Sequence, residues 1–172
     1  MSVKELARVG VRWLRESALD AYGLSSVLYS HIRPEPHVRE SWPGSVDLNA
    51  ASRVAVFNHF DRHGTVSPFV HYYLQQIHEA GYAILFVSNA PRLDPVAVER
   101  LTPVCGVILR RDNVGRDFGA YKDGIQAIPS VERLDSLLLA NDSVYGPFHD
   151  LRSLIARMSL AEPVRSANPR IL

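Results

Sequence analysis

Residues 53–88, RVAVFNHFDRHGTVSPFVHYYLQQIHEAGYAILFVS, carry the pattern that decides the fold. The apolar run Val54–Phe57, broken by Asn58-His59-Phe60-Asp61 and Gly64, predicts a short strand followed by a polar loop. Thr65–Ala80 predicts a helix, since Phe69, Tyr72, Tyr73 and Ile77 recur at about 3.6 residues. Ser67 stands at its N-cap, Pro68 in its first turn, and Gly81 where a C′ glycine ends a helix. Ala83–Val87 is a second apolar run, closed by Ser88-Asn89-Ala90-Pro91. Neither run alternates polar with apolar residues, which is how strands read when both sheet faces are covered.

The rhythm continues downstream. Asp94-Pro95 opens a short helix through Leu101, with Asp94 as N-cap. Val104–Leu109 is a third strand, ending in Arg110-Arg111-Asp112-Asn113. A helix from about Gly115 to Ile128 leads to a fourth strand, Ser136–Ala140, and Pro147 starts a last helix reaching about Met158. Strand and helix in alternation predict an α/β, Rossmann-like open sheet, mainly parallel, with helices on both faces. Upstream, residues 2–22 read as a helix, with Leu6, Val9, Trp13, Leu14 and Ala18 on one side and a basic edge of Lys4, Arg8, Arg12 and Arg15. Such a helix packs on the domain or makes peripheral membrane contact. Residues 31–51, with Pro34, Pro36, Pro43 and Gly44, read as a linker.

Composition narrows the function. The chain has 172 residues, 47% apolar and 22% charged, enough for one domain with a core. Lys+Arg 19 against Asp+Glu 18 gives a net charge of +1, so no electrostatic footprint points to nucleic acid. The single cysteine, Cys105, excludes an internal disulfide and is expected in a buried strand. The apolar runs are far too short to span a bilayer, and the charged start from Lys4 to Glu16 lacks a signal-peptide core, which makes the cytoplasm the expected compartment.

In an open parallel sheet, ligands bind beyond the carboxyl ends of the strands, at the switch point. Here that rule selects Asn58–Gly64, Ser88–Asp94, Arg110–Asp117 and Asn141–Pro147, which converge if the four strands are ordered 3-2-1-4. In Asn113-Val114-Gly115-Arg116-Asp117-Phe118-Gly119-Ala120, two glycines stand four apart at a helix start, allowing close approach to a strand or ligand. Free N–H groups there suit a diphosphate and Arg116 adds charge. The alternative is that Asn113 is an N-cap and Asp117 a first-turn residue matched to the helix dipole. In Leu139-Ala140-Asn141-Asp142-Ser143, a carboxylate at a buried strand tip suits Mg²⁺ or Mn²⁺, completed by substrate phosphates. The alternative has Asp142 or Ser143 capping a turn before Pro147. His59, Asp61 and His63 have a spacing that is not diagnostic of a metal, and Asp61 reads better as a contact to a base or ribose. His71 and His78 fit a solvated or packed helical surface.

Four segments carry a resemblance. Val54–Asp61, Gly81-Tyr82 with Phe86-Val87-Ser88-Asn89, Asn113–Lys122 and Leu139–Pro147 resemble the rhamnan synthesis F family over about residues 50–158. These are glycosyltransferase-like proteins of bacterial polysaccharide and lipopolysaccharide O-antigen assembly. The order of parts also resembles the nucleotide-binding half of GT-A glycosyltransferases. The resemblance implies three parts: residues 1–50, an N-terminal helix and proline-containing linker; 51–160, a nucleotide-sugar-binding-like domain; and 161–172, a loop-like tail. It implies that Asn58, His59, Asp61, Ser88 and Asn89 face the nucleoside, and that Asn113, Gly115, Arg116 and Asp117 line the sugar-diphosphate pocket. Asn141-Asp142-Ser143 stands where such enzymes carry a DxD-type metal site, here with one carboxylate, Asp142, for Mg²⁺ or Mn²⁺.

The implied ligand is a dTDP- or UDP-sugar, a deoxyhexose donor such as dTDP-rhamnose by analogy, used at the inner face of the membrane. Family members continue beyond this point with strands that hold the acceptor and the catalytic base, and no residue here is assigned as that base. The chain is therefore expected to be a shortened copy, or a donor-binding piece completed by a second polypeptide. The rival is a non-catalytic binding or scaffolding domain that has lost the acceptor half, and a third reading is an unrelated Rossmann-like regulatory module.

Overall fold

The computed structural model describes residues 37–143, 146–147 and 150–160. The helix expected over residues 2–22 and the tail 161–172 lie outside them. Five strands form one sheet: β1 (Val38–Pro43), β2 (Arg53–His59), β3 (Ala83–Ser88), β4 (Cys105–Arg111) and β5 (Ser136–Asn141), in the order β1-β4-β3-β2-β5. The last four are parallel and stand in the 3-2-1-4 order expected of them. The sheet as a whole is mixed rather than mainly parallel, because β1 pairs antiparallel with β4. Residues 38–43, read as part of a linker, are this edge strand. Its exposed charges, proline and lack of a repeating apolar face hide it in the sequence, as is usual for edge strands.

Among the described residues four α-helices flank the sheet: α1 (Pro68–Glu79), α2 (Pro95–Leu101), α3 (Arg116–Gln126) and α4 (Leu151–Leu160). The local signals in the sequence set their ends. Ser67 accepts a hydrogen bond from the Val70 N–H at 3.3 Å and Asp94 from the Val96 N–H at 2.9 Å, each with proline next. Gly81 follows α1 at a φ of +86°, a left-handed conformation that favours glycine. The last helix is seen from Leu151, with the Asp150 carboxylate accepting from the Arg152 N–H at 3.1 Å.

The side chains of β2 and β3 divide between two cores. Ala55, Phe57, Ile84 and Phe86 pack with Leu74 and Ile77 of α1, Leu101 of α2 and Ile155 of α4. Val54, Val56, Leu85 and Val87 pack on the opposite face with Ala120 of α3 and with Ile128. Cys105 is fully buried in the first core, and burial pushes its thiol well above the ordinary range, which leaves it a packing residue. The central strands are covered on both faces, Leu137 and Leu139 of β5 are exposed, and polar residues gather at the carboxyl end of the sheet.

Candidate functional site

At that end, four side chains from four elements join in a continuous hydrogen-bonded group. Asn58 closes β2 and donates from Nδ2 to Oδ1 of Asp117, in the first turn of α3, at 2.7 Å. Asn141, the last residue of β5, donates to the other oxygen of Asp117 at 3.1 Å. Asn89, just beyond β3, donates to Oδ1 of Asn58 at 3.0 Å and to the Arg116 carbonyl at 3.3 Å. Behind them lies Arg111, the last residue of β4 and 1% exposed. It donates to Asn89 Oδ1 at 2.7 Å, to the Val114 carbonyl at 2.8 Å and to Asp123 at 2.6 Å. A charged residue buried this fully persists only when all its donors are satisfied.

The start of α3 departs from the expected cap. Gly115, not Asn113, is the N-cap residue, with φ +74° and no side-chain cap bond, and Arg116 follows at φ +49°. Asn113 is exposed. Gly119 has a different role: a Cβ there would be driven into the Val114 carbonyl oxygen and lie 2.9 Å from Arg111 Nη2. The close approach that this glycine allows is to Arg111 and its acceptor.

His59 and Asp142 form a second group beside the first. The Phe60 N–H donates to Asp142 Oδ2 at 3.0 Å, and the Asp142 N–H donates to the Asn58 carbonyl at 3.2 Å. His59 is 2% exposed, with Nε2 at 3.1 Å from the Thr65 carbonyl and 3.9 Å from Asp142 Oδ2. A carbonyl only accepts, so Nε2 carries the proton and Nδ1 takes the Ser88 hydroxyl proton at 3.1 Å. The Ser88 oxygen in turn accepts from the Ala90 N–H at 3.2 Å, which commits this buried hydroxyl inside the protein. Asp61 is likewise occupied: one oxygen accepts from the N–H groups of His63 and Thr65 and from the Thr65 hydroxyl. Burial opposes its charge, but those bonds outweigh it and hold the carboxyl below its usual range.

The structure thus brings Asn58, Asn89, Asp117 and Asn141 into contact, with Arg116 joined through its carbonyl and Asp142 through the backbone of the Asn58 loop. Asp61 stabilises its own loop, and Ser143 is exposed on the turn after β5. Arg111 and Asp123 were not singled out from the sequence. The available signal was a charge ending the apolar strand Val107-Ile108-Leu109, together with a glycine inside the following helix. Tyr121 was missed too. Burial pushes its hydroxyl above the ordinary range, and the Asp117 charge pushes in the same direction. A depression of about 350 Å³ lined by Ser45, Val46, Leu48, Gly106 and Val107 lies near the opposite end of β4 and shares no residue with it.

The histidines give the fold a pH dependence with a definite sign. Burial pushes His59 below its ordinary value of 6.5, against the opposing pull of Asp142. Burial, aided by Arg100, does the same to His71. A histidine whose folded pKa is depressed contributes stability that is complete above its unfolded pKa and is lost as pH falls through the folded value. The melting temperature is therefore expected to drop between about pH 6.5 and pH 5, before the carboxylates titrate. His59→Gln should flatten part of that slope, and an unchanged slope in the variant would show that His59 titrates normally.

Among the described residues no three His, Cys, Asp or Glu side chains converge to hold a metal. Asp142 offers one carboxylate, with one oxygen already engaged by Phe60. That donor set suits only a cation whose shell is completed mainly by phosphate and water.

Comparison with known proteins follows the same residues. Residues 84–165 match the family model of rhamnan synthesis protein F, which takes in Asn89, Arg111, Asp117 and Asn141. The uncharacterized protein y4gN of Sinorhizobium fredii is 36% identical over 85 residues, 49% of this chain and 22% of that protein. Virulence protein VirA of Vibrio anguillarum is 35% identical over 77 residues, 43% of this chain and 25% of that protein. The matched stretch thus spans about a quarter of the length of either relative. No solved structure matches the chain.

Proposed function

We propose, from the match of residues 84–165 to the rhamnan synthesis protein F family, that this chain is a glycosyltransferase-like domain of bacterial cell-surface polysaccharide assembly that binds a nucleotide-diphosphate sugar. The observation that carries the reading is Asp117. Its two oxygens are each met by a neutral asparagine amide, from β2 and from β5, at the carboxyl end of a parallel sheet. A carboxylate accepts through about four lone-pair positions, so this one keeps acceptor capacity for ligand hydroxyls. The N–H groups of the first turn of α3 and the exposed Arg116 would meet the diphosphate. Mg²⁺ or Mn²⁺ at Asp142 would neutralise that diphosphate as it leaves.

The GT-A-like reading is supported by the order of strands and loops. By the same resemblance the proposed placement is the cytoplasm, at the inner face of the membrane. No helix among the described residues is long and apolar enough to cross a membrane. The acceptor would be held by sequence of the kind that fills the rest of the longer relatives, or by a second polypeptide. In that case turnover by this chain alone is expected to be low.

Calorimetry on the full chain with dTDP-rhamnose and UDP-glucose, with and without Mn²⁺, tests the reading. Binding of one donor is expected, with Asp117→Asn weakening it about tenfold, the size of a lost charge-assisted hydrogen bond. Asp142→Asn should weaken it chiefly when Mn²⁺ is present. A folded chain that binds neither sugar nucleotide under either condition overturns the donor site and favours the scaffolding alternative.

A further inference from the structure

We propose that Arg111 and Asn89 are positioning residues that fix the direction in which Asn58 meets Asp117. The inference rests on the reading of Asp117 as the ligand-facing carboxylate. A guanidinium only donates hydrogen bonds and a carboxylate only accepts them, whereas an asparagine amide does both from opposite ends. Arg111 Nη1 occupies the carbonyl end of Asn89 at 2.7 Å, which turns the Asn89 NH₂ group onto Asn58 Oδ1 at 3.0 Å. The carbonyl end of Asn58 is thereby committed, and its NH₂ group faces Asp117 at 2.7 Å. Each bond sets the next, from an obligate donor to an obligate acceptor.

Burial makes this ordering strict. Arg111, Asn58 and Asn89 are 1%, 2% and 3% exposed, so water does not substitute for a misdirected amide. Arg111 is itself held from its far side by Asp123 at 2.6 Å and by the Val114 carbonyl at 2.8 Å. Asp117 makes no ion pair among the described residues; its partners there are the two amides. The amides orient it without neutralising it. It is thus built to accept from hydroxyl donors, and it repels the like charge of a phosphate. The relay directs Asp117 to the sugar of a sugar nucleotide and away from its diphosphate.

Asn89→Asp separates direction from shape. The variant keeps the side-chain volume and the Arg111 partner but presents only acceptors to Asn58. Asn58 then faces acceptors at both ends, so its amide is no longer fixed and its NH₂ group divides between the new carboxylate and Asp117. Two-dimensional NMR of the full chain reads this without ligand. In the unmodified protein the Asn58 side-chain NH₂ protons should show cross-relaxation with the first turn of α3, and in the variant that should weaken while Asn141 keeps its own. Calorimetry should show dTDP-rhamnose or UDP-glucose binding weakened about tenfold and dTDP or UDP unchanged. Asn58 protons facing Asn89 in the unmodified protein overturn the proposal, and that measurement needs no variant to fold. Undiminished Asn58 cross-relaxation in a folded variant, or diminished cross-relaxation with unchanged sugar-nucleotide affinity, also overturns it. If the Asn58 cross-relaxation weakens in the variant but the unmodified chain binds no sugar nucleotide, the positioning relation stands and the donor-site reading falls.

Discussion

Replacing Arg111 by methionine is expected to cost about 3–5 kcal/mol of folding stability, the range for breaking a buried ion pair from one side. Methionine fills much of the volume but leaves the Asp123 carboxylate, Asn89 Oδ1 and the Val114 carbonyl without their donors. Desolvating an unpaired carboxylate is the largest part of that cost, since Asp123 is only 12% exposed beside the guanidinium. A domain of this size has about 5–15 kcal/mol in total, so the loss is a large share of the margin and should shift the unfolding midpoint markedly. Urea denaturation measures it. Adding Asp123→Leu should recover much of the loss by removing the stranded charge, though the two remaining oxygens keep the double variant below the parent. A single variant within about 1 kcal/mol of the parent would mean the ion pair is solvated in solution.

Gly119→Ala carries the second large effect, and its sign opposes helix propensity. Within a helix, alanine normally improves on glycine by about 1 kcal/mol. Here the added methyl meets the Val114 carbonyl and stands 2.9 Å and 3.2 Å from the two terminal nitrogens of Arg111. The carbonyl is the acceptor that Arg111 uses, so the methyl must displace both the backbone and the guanidinium. Net destabilisation of about 1–3 kcal/mol is expected, the usual cost of overpacking. The two effects should be coupled: combined with Arg111→Met, Gly119→Ala should cost less than it does alone, because its clash is partly with the removed side chain. A stabilising Gly119→Ala in the parent would refute the contact.

These two residues also mark how far the sequence could be read. The parallel core was legible because Val54–Phe57 and Ala83–Val87 are short apolar runs bounded by caps whose chemistry is local, Ser67 and Asp94 among them. The gathering of Asn58, Asn89, Asp117 and Asn141 at one end followed from strand order together with the rule for parallel sheets. Arg111 was not legible, because two adjacent arginines look alike in a sequence. Arg110 pairs with Glu40 at 2.7 Å on the partly exposed side, whereas its neighbour points into the protein. Only the two-residue periodicity of a strand separates them, and a charge on the inner face is not an expected solution. The strand β1 was illegible for a related reason, since its pairing is with β4 and its own residues carry little pattern.

β1 has one consequence that the parallel strands do not share. Running against its neighbour, it begins where β4 ends: Val38 stands opposite Arg111, and the His37 carbonyl accepts from the Asp112 N–H at 2.9 Å. The chain therefore enters the domain at the rim of the candidate site. Displacing the start of β1 would thus disturb Arg111 and Asp112, beside the candidate site, before it reached the far end of β4.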